Sequence, residues 1–177
     1  MIKDFKKEMS VNEDVLKSYS DKLPKELIEI WKSYGFGSII NGYLKIINPD
    51  DYVELLEQTY SRGKVSVPIM VTAFGDIITW EKGKYVGIVE YRYGRNDIIV
   101  TGFDIFISLL SDESFLNDYL KIDFYKEAVG RFGELSYDEC FGYVPILAIG
   151  GKETIDSLAK VKIKEHIALI TEFIDCI

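Results

Sequence analysis

An α+β fold, with a central antiparallel sheet of about four to six strands, several flanking helices and a long C-terminal helix packed on the core, is predicted by three features of the sequence. Between residues 67 and 101, extended segments rich in β-branched and aromatic side chains follow one another through short turns. On either side of that block, apolar residues recur at three- and four-residue spacing, the period of a helix with one buried face. No repeat, low-complexity tract or Pro/Ser-rich linker interrupts the chain, so its 177 residues are expected to form one unit.

Residues 1–20 are polar and weakly patterned, and only Val15, Leu16 and Tyr19 could seat a short helix on the body. From Leu23 the pattern sharpens. Pro24 suits a first helical position, Leu27, Ile30, Trp31 and Tyr34 share a face, and Gly35 stops the helix. The apolar stretch Ile39 to Ile47, broken at Asn41-Gly42, reads as a hairpin or two short strands. Asn48 then offers an N-cap, Pro49 an opening residue, and Asp50 and Asp51 first-turn carboxylates for a helix running to about Tyr60.

The central strands are expected at Val67–Phe74, Ile77–Trp80, Tyr85–Tyr91 and Ile98–Thr101. Gly75-Asp76 fits a type II′ turn, Lys82-Gly83-Lys84 a tight reversal and Gly94-Arg95-Asn96-Asp97 a longer one, which gives a four-stranded meander. Short helices follow around Asp104–Leu110, Asp112–Leu120 and Asp123–Val129, with Asp112 as a cap. Phe141 to Gly151 is an apolar run closed by glycines and reads as a buried strand. At the end, Ile163, Ile167, Ile170, Ile174 and Ile177 form a stripe that has to be buried.

With 29 acidic and 21 basic residues the formal charge is −8, which repels a nucleic-acid backbone and attracts a basic partner. No run of about 18 uncharged apolar residues exists and the N-terminus is too charged for a signal-peptide core, so a soluble, cytoplasmic protein with no membrane contact is expected. Cys140 and Cys176 share no metal-type spacing, and free buried thiols are expected of both.

Motifs for catalysis are scarce. The one histidine, His166, rules out multi-histidine metal sites and sits beside the isoleucine stripe, where a packing role is expected. Gly150-Gly151-Lys152-Glu153-Thr154 lacks the first glycine and the hydroxyl of a phosphate loop, and Gly35-Phe36-Gly37 follows a helix where a dinucleotide fingerprint would open one. No catalytic, metal or cofactor residue can be nominated. Carboxylates are numerous, yet their spacing singles out no acid/base pair.

Leu23-Pro24-Lys25-Glu26-Leu27, Trp31-Lys32-Ser33-Tyr34-Gly35-Phe36-Gly37, Gly42 and Asn48-Pro49-Asp50-Asp51-Tyr52 resemble the opening of the bacterial GAD-like domain family. Phe132-Gly133-Glu134-Leu135, Phe141-Gly142-Tyr143-Val144-Pro145, Leu147-Ala148-Ile149-Gly150-Gly151, Val161-Lys162 and Glu165-His166 resemble the C-terminal region of the same proteins, here residues 121–177. That region is associated with immunity proteins of type VI secretion DNase effectors. The resemblance implies a non-enzymatic cytoplasmic protein that binds and neutralises a cognate toxin, with no catalytic residues to carry over.

The partner would be a basic toxin effector, and acidic or tyrosine-bearing positions are expected to meet it. Two patches are nominated: Asp50, Asp51 and Glu54 at one helix start, and Glu90, Tyr91, Tyr93 and Asp97 around one sheet edge. Two other readings stay open, a housekeeping interaction or small-ligand-binding domain, and a carboxylate-based enzyme with a divalent cation.

Overall fold

Seven strands run in sequence order across one antiparallel sheet in the computed structural model, which describes residues 4–177. They are β1 (Lys6–Met9), β2 (Phe36–Ile39), β3 (Leu44–Ile46), β4 (Ser66–Thr72), β5 (Ile77–Glu81), β6 (Tyr85–Glu90) and β7 (Arg95–Thr101). The predicted meander is present as β4 to β7. The sheet is wider than expected because the Ile39–Ile47 hairpin extends it and the polar N-terminus adds β1 at the edge. All four β1 residues are exposed, so no apolar alternation marked that strand.

Layers of helices cover both faces of the sheet. Ile78, Trp80, Val86 and Ile88 face one core together with Leu27 and Trp31 of α2 (Lys25–Tyr34) and Phe103 and Phe106 of α4 (Phe103–Leu109). Val71, Ile77 and Val89 face a second core with Leu56 of α3 (Val53–Thr59) and Ile163, Ile167 and Ile170 of α6 (Ile163–Thr171). The interior strand β5 is buried at every residue, Thr79 and Glu81 included, because helices cover both of its faces.

Local signals place most boundaries. Asn12 Oδ1 accepts from the Val15 N–H at 2.8 Å and caps α1 (Glu13–Tyr19), and Gly35 ends α2 at φ +87°. Asn48 caps a short 3-10 turn, Pro49–Asp51, and α3 begins two residues later, so the predicted single helix is two pieces. The Gly75-Asp76 turn differs from the predicted type. Gly75 N–H donates to Thr72 O, which makes Ala73 and Phe74 the central residues of a four-residue connection. At Lys82-Gly83 both central residues have positive φ, as the tight reversal requires. Asp112 accepts from the Phe115 N–H at 2.8 Å ahead of a π-helical turn, Phe115–Tyr119, and α5 (Ile122–Phe132) follows.

The C-terminal quarter departs most from expectation. Phe141–Gly151 is not one buried strand. Its front half lies in β8 (Glu139–Tyr143), which pairs with β9 (Leu158–Lys162) in a separate two-stranded sheet, while its back half is a surface loop with Val144 57% and Ile149 55% exposed. The Val144–Pro145 peptide is cis, and the Cβ of any residue at Gly151 would lie 1.9 Å from Pro145 O. α6 covers nine residues, and the stripe continues past it to Ile177, whose N–H reaches Thr59 O at 3.1 Å. Cys140 is buried as expected, whereas Cys176 is exposed.

Candidate protein-interaction face

The reversal between β6 and β7 is a 3-10 turn, Tyr91–Tyr93, closed by Gly94 at φ +61°. Its three side chains take different environments. Tyr91 is buried, and its hydroxyl shares a 2.8 Å hydrogen bond with Thr59. Arg92 turns inward to pair with buried Asp76 at 3.1 Å, and its guanidinium lies 4.5 Å from the Phe74 ring centroid. Burial pushes the Asp76 carboxyl up to about 6 against the pull of Arg92. Tyr93 sits between Arg92 and Arg95, each 4.8 Å from its ring centroid, and donates its hydroxyl to Glu153.

This arrangement builds a cleft of about 320 Å³ lined by Glu90, Arg92, Tyr93, Asp97, Asp118 and Tyr119 among others. Glu90 holds Arg95 through two contacts, at 2.6 and 3.2 Å. Asp97 is exposed, and its carboxylate accepts from the next backbone N–H at 2.8 Å. The structure therefore brings together Glu90, Tyr93 and Asp97 of the nominated sheet-edge patch. Tyr91 is not on the surface, because the 3-10 turn points it into the core between α3 and α6.

The other nominated patch is exposed at Asp50, Asp51 and Glu54. Asp50 is held by the Tyr19 hydroxyl at 2.6 Å, and Glu54 accepts from Gln58 at 3.3 Å. The first contact ties the Pro49–Asp51 turn to α1 and the second runs along α3.

Sequence reasoning missed the apolar part of the surface. The loop bearing Val144 and Ile149 packs through its 3-10 turn, Leu147–Ile149, against Tyr91–Tyr93, and α6 packs against the same turn. Leu169 and Phe173, at and beyond the end of α6, are 45% and 52% exposed. Large apolar side chains exposed on two elements that pack against one turn are the kind of surface a protein partner covers. Pro145 was the available signal, because a proline within an apolar run cannot donate to a strand ladder.

His166 is buried beneath Gly142, and burial lowers its pKa. Among the described residues, no group of three or more His, Cys, Asp or Glu side chains is placed to hold a metal ion, and no helix is long and apolar enough to cross a membrane.

The fold is similar to the crystal structure of Atu4351 from Agrobacterium tumefaciens, with a TM-score of 0.74 over 96% of this chain and 86% of that one, at 14% identity. No curated protein sequence matches significantly. Residues 1–91 match the GAD-like domain family, and the chain belongs to that family. Residues 101–174 match the family described as T6SS immunity protein Tdi1, C-terminal, so the loop at Val144–Ile149 and α6 lie within an immunity-type region.

Proposed function

We propose that this protein is a type VI secretion immunity protein that binds and neutralises a cognate toxin effector by direct contact in the cytoplasm, without catalysing a reaction. The observation that carries the reading is the match of residues 101–174 to an immunity-protein family, over the segment that also bears the exposed Val144, Ile149, Leu169 and Phe173. The apolar side chains supply desolvated anchors, and Tyr93 with the carboxylates of Asp97 and Glu153 supplies a polar, negatively charged rim. A net charge of −8 favours a basic toxin, which fits a nuclease whose own lysines and arginines are arranged for phosphate.

The reading predicts a secreted toxin encoded beside this gene, and the test is co-expression with the product of the adjacent reading frame, together with pull-down of the pair. Cells survive with the wild-type protein, and the two proteins co-purify. Ile149→Asp combined with Phe173→Asp weakens binding by about a hundredfold or more while the melting temperature stays unchanged, since both side chains are exposed. Equal killing with and without this protein sinks the immunity reading. Survival and binding that persist in the double variant but fail on charge reversal at Asp50, Asp51 and Glu54 move the interface to the helix-start patch.

A further inference from the structure

A second feature lies on the sheet near its β1 edge, outside the face described above. Lys45, in the middle of β3, is 1% exposed, and its Nζ has no hydrogen-bond partner among the described residues. A buried ammonium normally has a counter-ion. Among the described residues none is bonded to it directly, and the nearby carboxylates of Asp138 and Glu139 attract it only from a distance. Burial pushes the Cys140 thiol up to about 12, so it is neutral at physiological pH. Asp138 and Glu139 are engaged by Lys162 at 2.7 and 3.7 Å. Tyr137 and Tyr125 donate their hydroxyls to the backbone carbonyls of Ile46 and Asn41.

Lys45 lines a cavity of about 470 Å³ between the β1–β3 edge of the sheet and the Glu134–Tyr137 segment. The antiparallel register aligns Lys6, Ser38 and Lys45 in one cross-strand row, so a lysine, a hydroxyl and a second lysine share one face. Ser38 is 9% exposed and lines the same cavity. The rim has the opposite character. Asp4, Glu8 and Glu134 surround it, with Lys6 set 3.7 Å from Glu134. Asp4 is occupied by the Asn41 N–H at 2.6 Å and Glu134 is shared with Lys6, while Glu8 also faces the opening.

We propose that this cavity binds a small ammonium-carboxylate zwitterion of the amino-acid type, its carboxylate on Lys45 and Ser38 and its ammonium toward Glu8 and Glu134. The carboxylate is the directly bonded counter-ion that Lys45 lacks, and the lysine ammonium with the serine hydroxyl provides charge-assisted donors on a rigid strand pair. A phosphate dianion fits worse, because the acidic rim repels it and only one lysine lies at the floor. The cavity is bounded by both halves of the chain, β1 to β3 on one side and the segment after α5 on the other, so an occupant would tie them together.

The experiment is thermal-shift titration of the full-length protein with each of the twenty standard amino acids, with acetate and inorganic phosphate as anion-only probes. At least one amino acid is expected to raise the melting temperature saturably at millimolar concentration, well above acetate or phosphate. Lys45→Met removes the response while leaving the ligand-free protein at least as stable as wild type, and Glu8→Gln weakens affinity by about tenfold. If Lys45→Met does not fold, Ser38→Ala serves as the comparison and is expected to weaken affinity similarly. The proposal is overturned by the absence of a response to every amino acid, by an undiminished response in Lys45→Met or, in its place, in Ser38→Ala, or by phosphate acting more strongly than any amino acid. None of these outcomes bears on toxin binding, which is read separately by pull-down.

Discussion

Lys45 and Trp31 occupy comparably buried positions, 1% exposed each, and their contributions to stability are expected to have opposite sign. Burial pulls the Lys45 ammonium down from 10.5 to about 8. In the unfolded chain the same group keeps its proton to about 10.5, so between these values the unfolded state binds more protons and stability rises with pH. Below pH 8 the charge on Lys45 destabilises the fold in full. Lys45→Met is therefore expected to stabilise the ligand-free protein by about 1–3 kcal/mol at pH 7, with the advantage shrinking as pH rises toward 10. Urea unfolding at pH 7 and 9 measures it, and a variant less stable than wild type at pH 7 contradicts it. Trp31 instead packs edge-on to Phe36, with ring centroids 5.1 Å apart, and to Tyr19 at 6.1 Å. Trp31→Ala is expected to cost about 3–5 kcal/mol in the same assay.

Pairs of elements that touch closely impose constraints no single element reveals. A Cβ at Gly142 in β8 would lie 2.4 Å from Nε2 of His166 in α6, so the ring occupies the space that a side chain on the strand would need. Gly142→Ala is expected to destabilise by about 1–3 kcal/mol through overpacking. In a His166→Ala background the same change costs much less, and a double-mutant cycle by chemical denaturation reads the coupling. Independent, additive effects would show that the ring yields without strain. The turn between β6 and β7 is a similar case. A period-two continuation of β6 would put Tyr91 and Tyr93 on the same face as buried Val89, but the 3-10 geometry separates them, burying Tyr91 and leaving Tyr93 partly exposed, so a tyrosine spacing alone could not say which side chain reaches solvent.

At the scale of the molecule, the wide sheet is covered on both faces, and its net charge of −8 belongs to the exposed surface as a whole. If the partner is a basic toxin, association is steered by that field, and its rate should fall steeply with added salt while dissociation changes little. Stopped-flow mixing at 50 and 300 mM salt tests this, and a salt-independent association rate contradicts the basic-partner reading. The breadth of the sheet also accounts for how much of the fold was legible. β4 to β7 were readable because β-branched runs joined by short turns are local signals. β1 was not, since an exposed edge strand carries no apolar pattern and is fixed by pairing with β2, a segment about thirty residues away in sequence.

Residue chemistry and period by themselves determined the α+β class, the core helix at Trp31, the caps at Asn48 and Asp112, and the buried isoleucines of α6, because each depends on neighbours within a few positions. The resemblance carried by Trp31, Gly35 and the Phe141–Gly151 text also lay in the sequence, since fold-making residues are what a family keeps in common. Only the tertiary structure decided that half of that apolar run faces solvent beside Tyr93, that Tyr91 is lost to the core, and that Lys45 is buried beside a cavity with no hydrogen-bond partner among the described residues. Those outcomes depend on which distant surfaces meet, and exposure is set by that meeting rather than by hydropathy along the chain.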